Sequence, residues 1–345
     1  MKTKKLAIGI VSFLLLYCFA SAWAESIPLN CGEKQRLLNA LKENPPYYSI
    51  DVTCEIRNII PGDMAQENIE IQENRAKILG EKYNWGTTKF KPIGFFDSNG
   101  EYVVLTKERA KVEGAMRIRK DITYFSGESA TAVSREITNI YNNGVFYFVN
   151  KGNKDIKISG KPNFESTSPL HFITCGKLIY NMDIVRDIVK IADPNYEQKK
   201  AGVNRKKFLD KGSVQINNSL AKQIECFNVD KSQKEYILFL DPNDWGICHK
   251  IVWYDVESGQ VSKMSEFKKF SIVRESNDLY PHTIIHTYFD KEGKEGKKEI
   301  INIFQVRTNP AVVDESFQIK TEEFENYEIT DYRLSPPLKT LNSLE

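Results

Sequence analysis

Several strand-length stretches of this chain are apolar on both sides, and that restricts the fold more than any other feature. In "YILFL" at 236–240, Tyr236, Leu238 and Leu240 fall on one side and Ile237 and Phe239 on the other. "IVWY" at 251–254 sets Ile251 and Trp253 against Val252 and Tyr254, and "VFYFV" at 145–149 behaves alike. In "IINIF" at 300–304, Ile301 and Ile303 oppose Ile300 and Phe304. Successive strand side chains point to opposite faces, and an antiparallel sheet with one wet face alternates apolar with polar residues. A sheet built from these strands needs apolar cover on both faces.

The strands follow one another closely. In the second half they are expected near 214–229, 234–241, 247–256, 260–274, 280–289, 297–308 and 316–321, with turns at "ESG" 257–259, "ND" 277–278 and "KEGKEG" 291–296. Consecutive strands with short turns make an antiparallel meander. The first half starts with a helix, "EKQRLLNALKEN" at 33–44, with Leu37, Leu38 and Leu41 on one stripe and Pro45-Pro46 as its stop. A strand follows over 47–59, where Ile50, Val52, Cys54 and Ile56 alternate with polar residues; 64–82 is ambiguous between helix and strand. From Phe90 the signals are mostly β, and Asn142-Asn143-Gly144 marks a hairpin turn into "VFYFVN". In "YNMDIVRDIVKIADP", Ile184, Val185, Ile188 and Val189 recur at helical spacing. Two solutions cover both faces: a filled β-sandwich, or a strongly bent sheet with helices in its mouth and an apolar concave side. The pattern alone leaves both open. Phe146, Phe148, Phe239, Trp253, Tyr254 and Phe304 are candidate cavity walls, with packed core as the other reading of each.

Lys2, Lys4 and Lys5, the apolar run Leu6–Ala20, and Ala22-Trp23-Ala24 have the layout of a secretory signal peptide, with cleavage expected after Ala24. The run is short for a bilayer span, which needs roughly 20 apolar residues. Tyr17 before Cys18 does not suit a lipid-anchor signal, so Cys18 is expected to leave with the signal and no transmembrane span to remain. Residues 25–345 then form a single domain, its meander clearest over 214–333. Removing three lysines takes the net charge from +2 to 2 − 3 = −1, which gives no support for nucleic-acid binding. Export permits disulfides, and Cys31–Cys54 and Cys226–Cys248 are the pairings to test.

No Walker loop, G-x-S-x-G or G-x-G-x-x-G occurs. His282 and His286 form H-x-x-x-H on a strand, about 13 Å apart and too far for one metal. "DPNDWG" at 241–246 reads as a turn rather than a calcium loop. No cofactor, metal or catalytic group is assigned.

The order "YILFLDPND", "HKIVWYDVESGQV", "FKKFSIV", "LYPHTIIHTYFD", "NPAVVDESFQI" and "YEITDYR" resembles the outer-membrane lipoprotein carrier (LolA-like) family, over 234–333 best. The positions that carry the likeness are Asp255, Gly259, Tyr280, Pro281, Asn309 and Phe317, and Trp85 in the first half opens the sheet. The chain is longer than the typical carriers. The resemblance implies a mainly β (α+β) fold: a strongly curved antiparallel sheet, an unclosed β-barrel, with helices over its concave face. It implies a non-enzymatic, soluble periplasmic carrier that holds lipid or lipoprotein acyl chains, with membrane-bound donor and acceptor proteins as partners. Ile184, Val185, Ile188 and Val189 would then belong to a lid helix. The alternative on the same fold is a non-catalytic sensor or protein-binding module; an exported hydrolase is a third class.

Overall fold

The computed structural model describes residues 27–42, 49–83, 92–113, 117–160, 187, 206–216, 219–229, 232–273, 279–308, 310, 314–319, 324 and 326–341. The expected signal segment, Trp85, Asn309 and the candidate lid-helix residues Ile184, Val185, Ile188 and Val189 lie outside them. The first half contains β1 (Ile27–Pro28), α1 (Cys31–Lys42), β2 (Ser49–Ile60), α2 (Gly62–Tyr83), β3 (Phe95–Phe96), β4 (Tyr102–Glu113), β5 (Arg117–Phe125), β6 (Val133–Asn142), β7 (Val145–Asn150) and β8 (Asp155–Ser159). The second contains β9 (Lys206–Ile216), β10 (Ser219–Asn228), β11 (Gln233–Leu240), β12 (Cys248–Tyr254), β13 (Val261–Ile272), β14 (Leu279–Phe289), β15 (Glu295–Thr308), a 3-10 turn (Asp314–Phe317), β16 (Glu328–Asp331) and β17 (Leu338–Leu341).

These strands form one large curved sheet. From one edge the order is β1, β9 to β15 in sequence, then β2, β4 to β8 in sequence, β16 and β17, with β3 beside the start of β4. All pairs are antiparallel except β8–β16. The two meanders join through β15 and β2, where Ile301 lies opposite Ile56 and Ile303 opposite Cys54. Among the described residues no ladder links β17 back to β1 or β9, so the sheet is open, as expected.

The α1 helix starts on a reciprocal cap. Asn30 Oδ1 accepts from the Glu33 amide at 2.9 Å, and Glu33 Oε2 accepts from the Asn30 amide at 3.0 Å. Leu37 of α1 is buried in the main core with Ile50, Val52, Cys54, Ile56, Ile224, Leu238, Ile251, Ile284, Ile301 and Ile303. Directly opposed residues share a face, so these positions define one surface running from β10 through β2. It is called the inner face below. Side chains on the inside of a curved sheet converge, which is why they merge into one continuous core. Arg36 fixes α1 at the β11–β12 loop: it donates to Pro242 O and Asn243 O at 3.1 and 2.8 Å and lies over the Trp245 ring. "DPNDWG" is thus a helix-docking turn, held by Asp241 Oδ1 accepting from the amides of Asn243 and Asp244.

The outer face is covered by the chain's own end. Val149, Ile156 and Ile158 pack with Ile329, Ile319, Phe324 and Tyr327. Phe317 is buried, and its carbonyl accepts from Asn142 Nδ2 at 3.4 Å. This answers the two-sided pattern of "VFYFV": Phe146 and Phe148 face inward, Val145, Tyr147 and Val149 outward.

Three expected elements differ. The strand read over 214–229 is the end of β9 and the whole of β10, which pair as a hairpin with Ser219 opposite Ile216; both halves carry the same alternation, so the pattern runs through the turn. The stretch 316–321 contains the end of the 3-10 turn in place of a strand, because it caps the outer face instead of joining a ladder. The ambiguous stretch 64–82 falls within α2, where Ala65 is buried while Met64, Ile71 and Ile78 are exposed. A helix with so little buried surface leaves a weak periodic signal.

Candidate functional site: the inner face of the sheet

The inner face is apolar over β2 and β10 to β15, with three polar islands set into it. The first lies on β4 and β5. Glu108 stands opposite Cys54 on one side and Ile122 on the other. Its Oε2 is 2.7 Å from Lys120 Nζ, with both side chains about nine-tenths buried. Burial pushes the Glu108 carboxyl above its ordinary range, and Lys120 opposes that shift. Burial, helped by the Glu108 charge, pushes the Cys54 thiol up to about 12.

The second island lies where β9, β10 and β11 meet. A bulge in the β10–β11 ladder, where Cys226 faces Tyr236 but Phe227 faces Lys234, leaves Glu235 unpaired and lets it join Tyr236 at the inner face. Lys206 Nζ lies 2.7 Å from Glu235 Oε2 and 2.7 Å from Asp187 Oδ2. Tyr236 OH donates to the same Asp187 oxygen at 3.2 Å, and Asn228 Nδ2 donates to Glu235 Oε1 at 2.9 Å. Burial pulls the Lys206 ammonium down in pKa, but its hydrogen bonds to Asp187 and Glu235 outweigh this and leave it raised. Tyr236 is raised well above the phenol range, first by burial, with the neighbouring Cys226 and the Asp187 carboxylate adding to it.

Asp187, Cys226 and Glu235 place their donor atoms within 4.8 Å of one another, a spacing that could hold a metal ion. The cation between the two carboxylates is already the Lys206 ammonium, and burial pushes the Cys226 thiol up to about 12, which keeps its proton. The donor set therefore suits an ammonium rather than a metal.

The third island is Ser265 Oγ, 2.6 Å from His286 Nδ1, on neighbouring strands and fully buried. His282, four residues before His286 on β14, is bound elsewhere, with Nδ1 2.9 Å from Ile303 O. His249 Nε2 lies 3.6 Å from Asp241 Oδ2, and its ring meets Phe270 edge-on.

The six wall candidates separate by register. Trp253 is opposite Tyr236 and packs against the main core from the inner face. Phe146 and Phe148 sit opposite Tyr141 and Asn139, on the inner face of β7. Phe239 and Tyr254 are on the outer face, out of phase with Leu238 and Trp253; the Lys234 ammonium lies over the Tyr254 ring. Phe304 is the extra residue where the β15–β2 register shifts, and it stands 57% exposed. Strand alternation places Phe239 and Tyr254 away from the inner face, and exposure sets Phe304 apart from the packed core.

The four described cysteines are free, Cys31 exposed and Cys54, Cys226 and Cys248 buried. The pairings Cys31–Cys54 and Cys226–Cys248 are not formed. Cys31 opens α1 at the surface while Cys54 lies in the core. Cys226 and Cys248 are on β10 and β12 with β11 between them, and two strand spacings already amount to about 9.6 Å, beyond the roughly 7 Å that a disulfide spans between Cα atoms. The family-like positions have structural work. Asp255 Oδ1 accepts from the Glu257 and Ser258 amides and the Ser258 hydroxyl. Gly259 takes φ +71° in the same turn, a conformation that favours glycine.

Lys206, Asp187, Glu235, Glu108 and Lys120 were not legible as a site. Their sequence neighbours are polar loops and alternating strands, and only the assembled sheet brings them together. The one available signal is Asp187, a carboxylate three residues after Ile184 on the flank of an apolar helical stripe.

The fold is thus a mainly β, open, curved antiparallel sheet with a helix on its inner face. No family model matches the chain, and a search of curated proteins finds no relative. Solved structures with a similar fold include an outer-membrane lipoprotein-sorting protein domain from Vibrio parahaemolyticus, at 11% identity over 84% of this chain and 97% of that one, TM-score 0.40. A LolA superfamily protein from Nitrosomonas europaea is similar at 13% identity over 83% and 97%, TM-score 0.36. A DUF1329 family protein from Desulfovibrio piger is similar at 9% identity over 85% and 98%, TM-score 0.40. Among the described residues no helix is long and apolar enough to cross a membrane.

Proposed function

We propose that the protein is an exported, periplasmic, non-enzymatic carrier that holds the acyl chains of a lipid or lipoprotein against the inner face of its sheet. The observation that carries this reading is the continuity of that face: an apolar surface spanning eight strands, from Phe208 on β9 to Val52 on β2. Trp253 is only half-buried against it. Acyl chains gain about 0.8 kcal/mol for each buried CH₂, so burial alone supplies affinity and no covalent step is needed. Handing such a ligand on requires proteins at the donor and acceptor membranes.

The test is mass spectrometry of the protein purified from the periplasm without detergent, native and denatured. The expected result is a native mass raised by a lipid-sized increment that denaturation removes. A bare mass that persists after incubation with envelope lipids refutes the carrier and favours a protein-binding module on the same fold. The denatured mass also fixes whether residues 1–24 have been removed.

A further inference from the structure

We infer that Lys206 and Tyr236 form an acceptor site for the carboxylate head group of a fatty acid, and that Asp187 of the chain itself occupies this site in the structure described here. The inference rests on the carrier reading and names its ligand class. Two donors converge on a single oxygen: Lys206 Nζ at 2.7 Å and Tyr236 OH at 3.2 Å from Asp187 Oδ2. Asp187 is 3% exposed. The site is therefore already shaped for a desolvated carboxylate, with one charged and one neutral donor.

The two acids of the island are not equivalent. Glu235 belongs to β11 and its second oxygen is tied to Asn228, so it is a fixed counter-ion of Lys206. Asp187 lies outside the strands of the sheet and takes both donors on one oxygen, so it is the acid that a ligand carboxylate would replace. Formal charge selects the newcomer. Lys206 with Glu235 is neutral, and Asp187 adds a single negative charge. A fatty-acid carboxylate preserves that count, whereas a phosphate dianion adds another negative charge in a buried place. The setting also suits an amphiphile. Tyr236 and Cys226 belong to the apolar core, the Phe208 ring meets Tyr236 edge-on at 6.3 Å, and Trp253 and Leu238 continue the apolar surface beyond them. A head group on Lys206 would leave its chain lying on that surface.

The experiment is equilibrium binding of radiolabelled palmitate, hexadecanol and hexadecyl phosphate to the full chain and to Asp187→Ala, Asp187→Asn and Asp187→Ala with Lys206→Met. Vacating the site is expected to tighten palmitate by at least about tenfold, the scale of one charge-assisted hydrogen bond, and to leave hexadecanol unchanged. Adding Lys206→Met is expected to abolish the gain. Asp187→Asn keeps the side-chain size and gives the same direction of change, so the question stands even if the alanine variant does not fold. Palmitate and hexadecanol responding alike in every variant overturns the head-group site and leaves the carrier reading intact. A larger gain for hexadecyl phosphate than for palmitate overturns the carboxylate assignment. Binding of none of the three refutes the carrier reading, and this inference with it.

Discussion

Lys120→Met should be among the most damaging single substitutions in the first half of the sheet. Lys120 Nζ is 2.7 Å from Glu108 Oε2, and the two side chains are 8% and 9% exposed. The methionine fills similar volume, so little packing is lost; what changes is that Glu108 keeps its charge without its counter-ion. Breaking a buried pair from one side costs about 3–5 kcal/mol, a large share of a typical stability of about 5–15 kcal/mol. The cost depends on pH, and the sign follows from proton binding. The carboxyl of Glu108 is already raised in the folded state, chiefly by burial, and Lys120 is the main influence holding it down. Without Lys120 the folded state binds its proton more tightly still. A raised carboxyl makes the folded chain hold more protons than the unfolded one, so stability falls as pH rises from the unfolded carboxyl range through the folded one. Urea unfolding of variant and parent at about pH 5 and about pH 8 should therefore show a larger deficit at the higher pH. The double variant Glu108→Leu with Lys120→Met should recover most of the loss, because an apolar pair of similar volume is neutral or stabilising by about 1–4 kcal/mol. A deficit below about 1 kcal/mol at the higher pH, the size of a surface pair, or one that does not change with pH, would refute the reasoning.

Leu37→Ala should lower stability by about 2–5 kcal/mol, since Leu37 is 1% exposed between α1 and the inner face; urea unfolding should show a lower midpoint at unchanged slope. Maleimide labelling of the native protein followed by peptide mapping should modify Cys31 and spare Cys54, Cys226 and Cys248, whose thiols burial pushes up to about 12. A recovered Cys226–Cys248 disulfide peptide would contradict the strand order, and a Cys31–Cys54 one the placement of Cys31 at the surface and Cys54 in the core. Phe304→Ser should change stability by no more than about 0.5 kcal/mol and leave lipid binding as it was, because the ring is 57% exposed and is not part of the packed core.

Much of the fold is determined by local sequence. The β12–β13 turn follows from Asp255 and Gly259, the β6–β7 turn from Asn143 and Gly144, both at positive φ, and the start of α1 from Asn30 and Glu33. These are short-range effects, written in residues a few positions apart. The two-sided apolar pattern likewise states that both faces must be covered. What covers them is a tertiary matter. The chain's own segment around Phe317 and Phe324 closes the outer face of β7 and β8, and α1 closes part of the inner one. Which aromatic residues share the inner face was also beyond the sequence. Alternation fixes only that neighbours point opposite ways, while the absolute phase of a strand is set by partners such as Ile56 for Ile301, hundreds of residues away. Bulges at Glu235 and Phe304 then shift that phase partway along a strand, with no mark in the local pattern. The Asp187–Lys206–Glu235 island exists for the same reason: three charges from distant segments become mutual neighbours only where the curved sheet excludes the water that would otherwise solvate each alone.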